Sequence, residues 1–254
     1  MLKKLYNPER LKEGCGTDGE GTVRRRKREI GMKLQGISKH FPMFMRRGTQ
    51  HVVVWIWRRY IGFVALTSKV EFQGIENIDK NRMLGFWHED SYCMQLLLKQ
   101  LQKLEKKVHV IVTAERRGDY IAEMVSRYGA EPMRLPDGLK MRSFLKDLKE
   151  DSKQSGLTLA AAMDGPNGPY RKPKRLLFML AHEADKSVIY VRFLKKGMIT
   201  FPWRWDKYRV PLPFTKLVCK IDYFGEIAKE ELKNFGEYAR RIFGDDICLE
   251  EQGE

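Results

Sequence analysis

The sequence predicts an α/β domain, a largely parallel β-sheet flanked by helices, behind an N-terminal extension of basic and amphipathic helical character. Three observations carry this prediction. From residue 69 onward, short apolar or alternating runs of strand length recur between helical segments, the pattern of βαβ units. The chain has 254 residues, 43% of them hydrophobic, which suits one domain with a real core and excludes wholesale disorder. The net charge of +15 is concentrated at the front: residues 1–70 hold 16 Lys/Arg against 5 Asp/Glu, and the remainder is nearly neutral.

Taken in order, residues 1–30 read as a basic flexible tail, with the linker-like patch Gly14-Cys15-Gly16-Thr17-Asp18-Gly19-Glu20-Gly21 and the tract Arg24-Arg25-Arg26-Lys27-Arg28. Residues 31–68 are expected as amphipathic, membrane-proximal helices, broken near Phe41-Pro42. Within them Trp55, Trp57 and Tyr60 stand beside Arg58 and Arg59, a combination suited to a lipid headgroup layer, although a buried core helix would also be rich in Val, Ile and Trp. Two arginines in mid-segment argue against spanning, at ~2.5–3.5 kcal/mol each.

Residues 69–254 are the expected α/β domain. Strands are predicted at 69–74, 83–87, 108–113, 157–163 and 187–193. Helices are predicted at 89–105, from an N-cap at Asp119 to about Tyr128, at 139–154 and near 173–184. Gly129 reads as a helix stop. In such sheets chemistry collects just past the carboxyl ends of the strands.

Three strand-end segments carry candidate chemistry. Trp87-His88-Glu89-Asp90 sets a histidine at a strand-to-helix turn, where the helix dipole favours a neutral ring able to act as a base. A polar histidine capping a core strand is the bland alternative. Glu115-Arg116-Arg117-Gly118-Asp119 could grip a phosphate or form a surface salt-bridge cluster. The turn Asp164-Gly165-Pro166-Asn167-Gly168-Pro169 fixes a backbone shape, and Arg171, Lys172, Lys174 and Arg175 beyond it can receive an anion.

Other chemistries are excluded by pattern. The sequence has no G-x-S-x-G elbow, Walker A loop, G-x-G-x-x-G fingerprint or H-E-x-x-H. Cys15, Cys93, Cys219 and Cys248 are scattered without metal spacing and read as reduced thiols of a cytosolic compartment. The first residues lack the apolar run of a secretory signal. The basic tract lacks interleaved aromatics and no nucleic-acid-binding module is recognised, so no nucleic-acid partner is expected.

Four blocks in order resemble the lysophospholipid acyltransferase superfamily (glycerol-phosphate acyltransferase-like), in its bacterial branch with a DGPxGP turn. They are Phe86-Trp87-His88, Arg117-Gly118-Asp119-Tyr120-Ile121-Ala122, Met163-Asp164-Gly165-Pro166-Asn167-Gly168-Pro169 and Trp205-Asp206-Lys207-Tyr208-Arg209-Val210-Pro211-Leu212-Pro213-Phe214. The resemblance covers roughly residues 70–225. It implies a glycerol-3-phosphate acyltransferase-like fold and acyl transfer from acyl-CoA or acyl carrier protein to a lysophospholipid-type hydroxyl. It implies no cofactor and no metal, and a protein peripheral to the inner face of the cell membrane, on an anionic surface.

In that reading His88 is the general base. Asp164, Gly165, Pro166 and Gly168 stand in the acceptor-binding block, and Arg116, Arg117, Arg134 and Arg171 are candidates for holding phosphates of acceptor or donor. The superfamily's usual signature separates His by four residues from an orienting Asp, and here that position is Cys93. The acid must come from Asp90, Glu89, Asp119 or Asp164, and Asp119 is favoured because it lies at another strand end. Cys93 as a thiol nucleophile, an amine acceptor, and a non-catalytic lipid-binding protein on the same fold remain the alternatives.

Overall fold

The computed structural model describes residues 43–79, 81–113, 116–136, 141–154 and 157–247. The expected tail at 1–30, and 31–42 of the expected helices, lie outside them. Two compact units are distinguished, Met1–His51 and Val52–Glu254. Of the first, only residues 43–51 are described, and they are helical.

The second unit takes in most of helix α1 (Met43–Thr67) and then a seven-stranded sheet. In chain order the elements are β1 (Lys69–Gln73), β2 (Arg82–Phe86), α2 (Met94–Lys103), β3 (His109–Thr113), α3 (Arg116–Ser126), β4 (Glu131–Leu135), α4 (Met141–Gln154) and β5 (Leu159–Ala162). They continue with α5 (Arg175–Glu183), β6 (Ser187–Phe193), the small hairpin β7 (Met198–Thr200) and β8 (Arg209–Pro211), β9 (Lys216–Gly225), α6 (Lys229–Lys233) and α7 (Phe235–Phe243).

The strand order is β1-β9-β6-β2-β5-β3-β4. Neighbours are parallel except β6 and β9, so β1 and β9 run against the other five. The mixed α/β class with helices flanking a mainly parallel sheet is therefore as predicted. Pleating sends alternate residues to opposite faces. Leu84 and Phe86 join a core with Ile61, Val64, Leu97 and Leu101 from α1 and α2. Met83 and Trp87 join the other face with Leu177, Phe178 and Phe243 from α5 and α7.

Two expectations need correction. The helix expected from residue 89 begins only at Met94, because His88–Asp90 forms a single 3-10 turn whose two carboxylates are tied into the fold. Asp119 is not an N-cap. Helix α3 starts at Arg116 and Asp119 sits inside its first turn, where its charge still suits the dipole. No helix among the described residues is long and apolar enough to cross a membrane.

Candidate active site

The central strands β2 and β5 pair with Met83 opposite Leu159 and Phe86 opposite Ala162. Extending that register two residues past the pairing brings His88 level with Asp164. The ring Nδ1 of His88 lies 2.6 Å from Asp164 Oδ1, and the His88 backbone N–H donates to the same oxygen at 3.2 Å. A carboxylate only accepts, so the pair holds the proton on Nδ1 and leaves Nε2 as the nitrogen able to take one. The Asp164 side chain is fully buried while His88 keeps 17% exposure, so the imidazole is reachable and its partner is not. Asp164 Oδ2 has no hydrogen-bond partner among the described residues.

This geometry corrects the expectation for Asp119. β3, which leads into α3, is two places from β2 in the sheet, with β5 between them. Two interstrand spacings are about 10 Å. Asp119 pairs instead with Arg134, Nη2 to Oδ1 2.7 Å, on an exposed surface. Arg134 also donates to the Thr113 carbonyl at 3.3 Å. Gly118 is required here: a Cβ would lie 1.8 Å from that same carbonyl oxygen. The side chains of Arg116 and Arg117 lie outside the described residues.

Beside His88, a buried charge cluster ties the residues just after His88 and just after the 164–169 turn to the block at 205–214. Glu89 and Asp90 are 1% and 0% exposed. Arg209 from β8 contacts both, with Nη2 at 3.1 Å from Glu89 Oε1 and closer to Asp90 Oδ1. Asp90 Oδ2 accepts from the Phe193 N–H at 3.0 Å. Burial pushes Asp90 up to about 6 against the pull of Arg209. From the far side Tyr170 donates to Glu89 Oε2 at 2.7 Å, and Arg171 donates to Glu89 Oε1 through Nε at 2.9 Å. Burial, then the bond to Glu89, raises the Tyr170 phenol.

Arg171 was expected among the phosphate ligands. Its guanidinium is instead committed to Glu89 and to Asp246, whose backbone oxygen accepts from Nη1 at 3.2 Å. Breaking a buried pair of this kind is costly, so Arg171 holds the loop after His88 rather than a substrate.

The turn at 164–169 forms one wall. Gly165 and Gly168 have φ of 68° and 66°, and the Gly168-Pro169 bond is cis. A Cβ on Gly168 would lie 2.6 Å from Trp205 Cε3. The Trp205 ring in turn stands 5.3 Å from the His88 ring, so the fourth block lies over the imidazole. Lys207 rests over the Tyr170 ring at 4.3 Å.

The Cys93 thiol packs against Met198 and the Arg209 backbone. It is fully buried with its sulfur 3.7 Å from Met198 Sδ, and burial followed by the Asp90 charge raises its thiol well above the ordinary range. A thiol held protonated is a poor nucleophile. The functional neighbours that sequence reasoning missed are Trp205, Tyr170 and Arg209. Trp205 and Arg209 carried a signal, as members of the fourth block, but no role was assigned to either. No group of three or more metal-ligating side chains occurs among the described residues.

No family model matches the chain, and no curated protein matches it. Among solved structures it is similar to the crystal structure of the 1-acyl-sn-glycerophosphate (LPA) acyltransferase PlsC from Thermotoga maritima, with 19% sequence identity, coverage of 87% of this chain and 90% of that chain, and a TM-score of 0.45.

Proposed function

We propose that the chain is an acyltransferase that moves a fatty acyl group from a thioester, acyl-CoA or acyl carrier protein, to a lysophospholipid-type hydroxyl. The observation that carries this reading is the buried Asp164 carboxylate on Nδ1 of a partly exposed His88 at the carboxyl ends of two central parallel strands. The order of the four sequence blocks supports it. In the reaction, His88 Nε2 takes the acceptor hydroxyl proton as its oxygen attacks the thioester carbonyl. Collapse of the tetrahedral adduct expels the thiolate, which takes the proton back from the imidazolium that Asp164 stabilises. The 164–168 turn and Trp205 bound the space over the base.

Arg134 is the candidate for the acceptor or donor phosphate, with Arg116 and Arg117 on the neighbouring helix. Its pair with Asp119 is solvent-exposed and therefore weak enough to be exchanged for a phosphate. With a lipid acceptor the enzyme works as a peripheral protein at an anionic membrane, on the cytoplasmic face.

The deciding experiment is mass spectrometry of products from the purified protein. It is supplied with acyl-CoA or acyl carrier protein donors and a panel of lysophospholipids and amines, beside His88→Ala. A His88-dependent acylated product is expected, and its identity separates O- from N-acylation. Lipid that co-purifies without turnover from any pair would replace this reading with a non-catalytic lipid-binding protein.

A further inference from the structure

The residues on both sides of His88 are tied to a single acid far along the chain. Helix α7 ends at Phe243 and runs into a 3-10 turn, Gly244–Asp246. Phe243 is buried, with its ring 5.2 Å from Trp87 and 5.2 Å from Tyr190, and these contacts set the turn beside β6. There the Asp246 carboxylate is met from two directions.

One direction leads to Glu89, the residue after His88. Arg171 Nη1 donates to the Asp246 backbone oxygen at 3.2 Å and to Oδ1 at 3.4 Å, while its Nε donates to Glu89 Oε1 at 2.9 Å. Arg171 has φ of 49°, in the left-handed region that is costly for a long side chain, so surrounding contacts must impose its place. The other direction leads to Trp87, the residue before His88. Trp87 Nε1 donates to the Tyr190 hydroxyl at 2.7 Å, and that hydroxyl donates to Asp246 Oδ2 over a long 3.5 Å. Burial, then the Asp246 charge, raises the Tyr190 phenol and so keeps the proton that this contact needs. Arg192 Nη1 fixes the same oxygen at 2.8 Å. Charge balance does not require Asp246 here. Arg171 and Arg209 already match Glu89 and Asp90 one for one, and the Asp246 side chain is 29% exposed.

We infer that Asp246 is a positioning residue for His88: by holding Arg171 and Tyr190 together it clamps both neighbours of the histidine and keeps Nδ1 on Asp164. The pairing of β2 with β5 stops at Phe86 and Ala162, so strand hydrogen bonds do not reach His88 itself. Past that point the backbone is held by the side chains of Trp87 and Glu89, and both lead to Asp246. Support of this kind is what keeps a reactive group within a fraction of an ångström of its working place. The role rests on the acyltransferase reading for its effect on rate, whereas its effect on the His88–Asp164 bond does not.

The test uses the full chain and two readouts. The first needs no substrate: the proton on His88 Nδ1, held in a 2.6 Å bond to a carboxylate, gives a low-field NMR resonance, assigned by its loss in His88→Gln. The second is kcat and KM with the donor and acceptor pair found by the product screen. Asp246→Asn keeps the side chain's size, yet whichever way the amide turns, one guanidinium faces its NH2 group. The resonance should move upfield and broaden, and kcat should fall about tenfold with KM within about twofold. Asp246→Glu, which restores the charge, should recover part of both. Asp222→Asn removes the other acid on Arg192, 3.2 Å from its Nε, and touches neither Arg171 nor Tyr190, so it should match wild type in both readouts. A lower melting temperature in Asp246→Asn, with the resonance and kcat per folded molecule unchanged, would make Asp246 a stabilising residue only and overturn the inference. Equal losses in Asp222→Asn would also overturn it, by assigning the effect to net charge. If no pair turns over in wild type, the acyltransferase reading falls by itself and the resonance alone decides the positioning. If His88→Gln abolishes turnover while Asp246→Asn changes neither readout, the clamp falls and that reading stands.

Discussion

His88 and Asp164 are partners because the parallel pairing of β2 with β5 runs at a constant offset of 76 residues, which carries the last paired residues, Phe86 and Ala162, two steps further to a histidine and a carboxylate. The ring is oriented by a neighbouring strand and not by an acid later on its own helix. Rigid sheet register keeps such a pair within hydrogen-bond geometry more precisely than a loop would.

Replacing either partner should therefore remove catalysis without unfolding the protein. His88→Ala should lower kcat by about 10²–10⁴. Asp164→Asn should have a comparable effect for a different reason: the amide can donate to Nδ1, which favours the tautomer with Nε2 already protonated. The pH profile distinguishes them, since a residual base-dependent limb should survive in Asp164→Asn and vanish in His88→Ala. Wild-type rates in Asp164→Asn would remove the carboxylate from the mechanism.

Cys93 offers the converse test. As a buried thiol against Met198 it should tolerate Ala with turnover kept within about threefold and a stability loss on the order of 1 kcal/mol, from a small cavity. Cys93→Asp places an acid at the spacing usual in the family the sequence resembles, yet it should destabilise by several kcal/mol, since a third carboxylate would be buried beside Glu89 and Asp90 without a partner. Thermal melts of the two variants beside an activity assay decide this. An acyl adduct trapped on Cys93 in the wild type would overturn it.

Much of this was legible in the sequence, and the gaps have a physical pattern. Apolar runs ending at residues 87 and 163 marked the strands that lead to His88 and Asp164, because local periodicity records burial. Which strands are neighbours is not local information. β5 enters the sheet between β2 and β3 although β3 and β4 precede it in the chain, so Asp119, nearer His88 in sequence than Asp164, is the more distant in space. The same holds for Arg171 and Arg209. Their charges were visible, but Arg171 read as a phosphate ligand because its buried partner Glu89 lies 82 residues away. The strands β4, β7 and β8 were missed because three to five residues with few apolar positions give no periodic signal, and the ten-residue β9 was missed despite its alternating burial.

The buried acid pair should make stability pH-dependent with a sign opposite to that of an ordinary salt-bridged carboxylate. Asp90 is pushed up to about 6 by burial, whereas an unfolded Asp titrates near 3.9. Between those values the folded protein binds more protons than the unfolded chain, so this group's contribution falls as pH rises from about 4 to about 6, by up to about 3 kcal/mol. Denaturant unfolding across that range, beside Asp90→Asn, should show the slope in the wild type and a flatter curve in the variant. Arg209→Met should cost about 3–5 kcal/mol at neutral pH by leaving Glu89 and Asp90 short of a counter-charge. A wild-type curve that rises with pH through this window would refute the assignment to Asp90.

Trp205 links the turn to His88, and Gly168 is where that link can be broken. A methyl group at Gly168 would meet the indole 2.6 Å away on a backbone with φ of 66°, so the ring must move from its place 5.3 Å from His88. Gly168→Ala should cost about 1–3 kcal/mol of stability through crowding and lower kcat/KM together with it. Trp205→Ala removes the obstacle and opens the site. If the indole transmits the effect, Gly168→Ala made in the Trp205→Ala background should cost clearly less than in wild type, with an interaction energy of at least about 0.5 kcal/mol. Additive losses would instead place the whole cost in the glycine's backbone, and Trp205 would then have no part in holding His88.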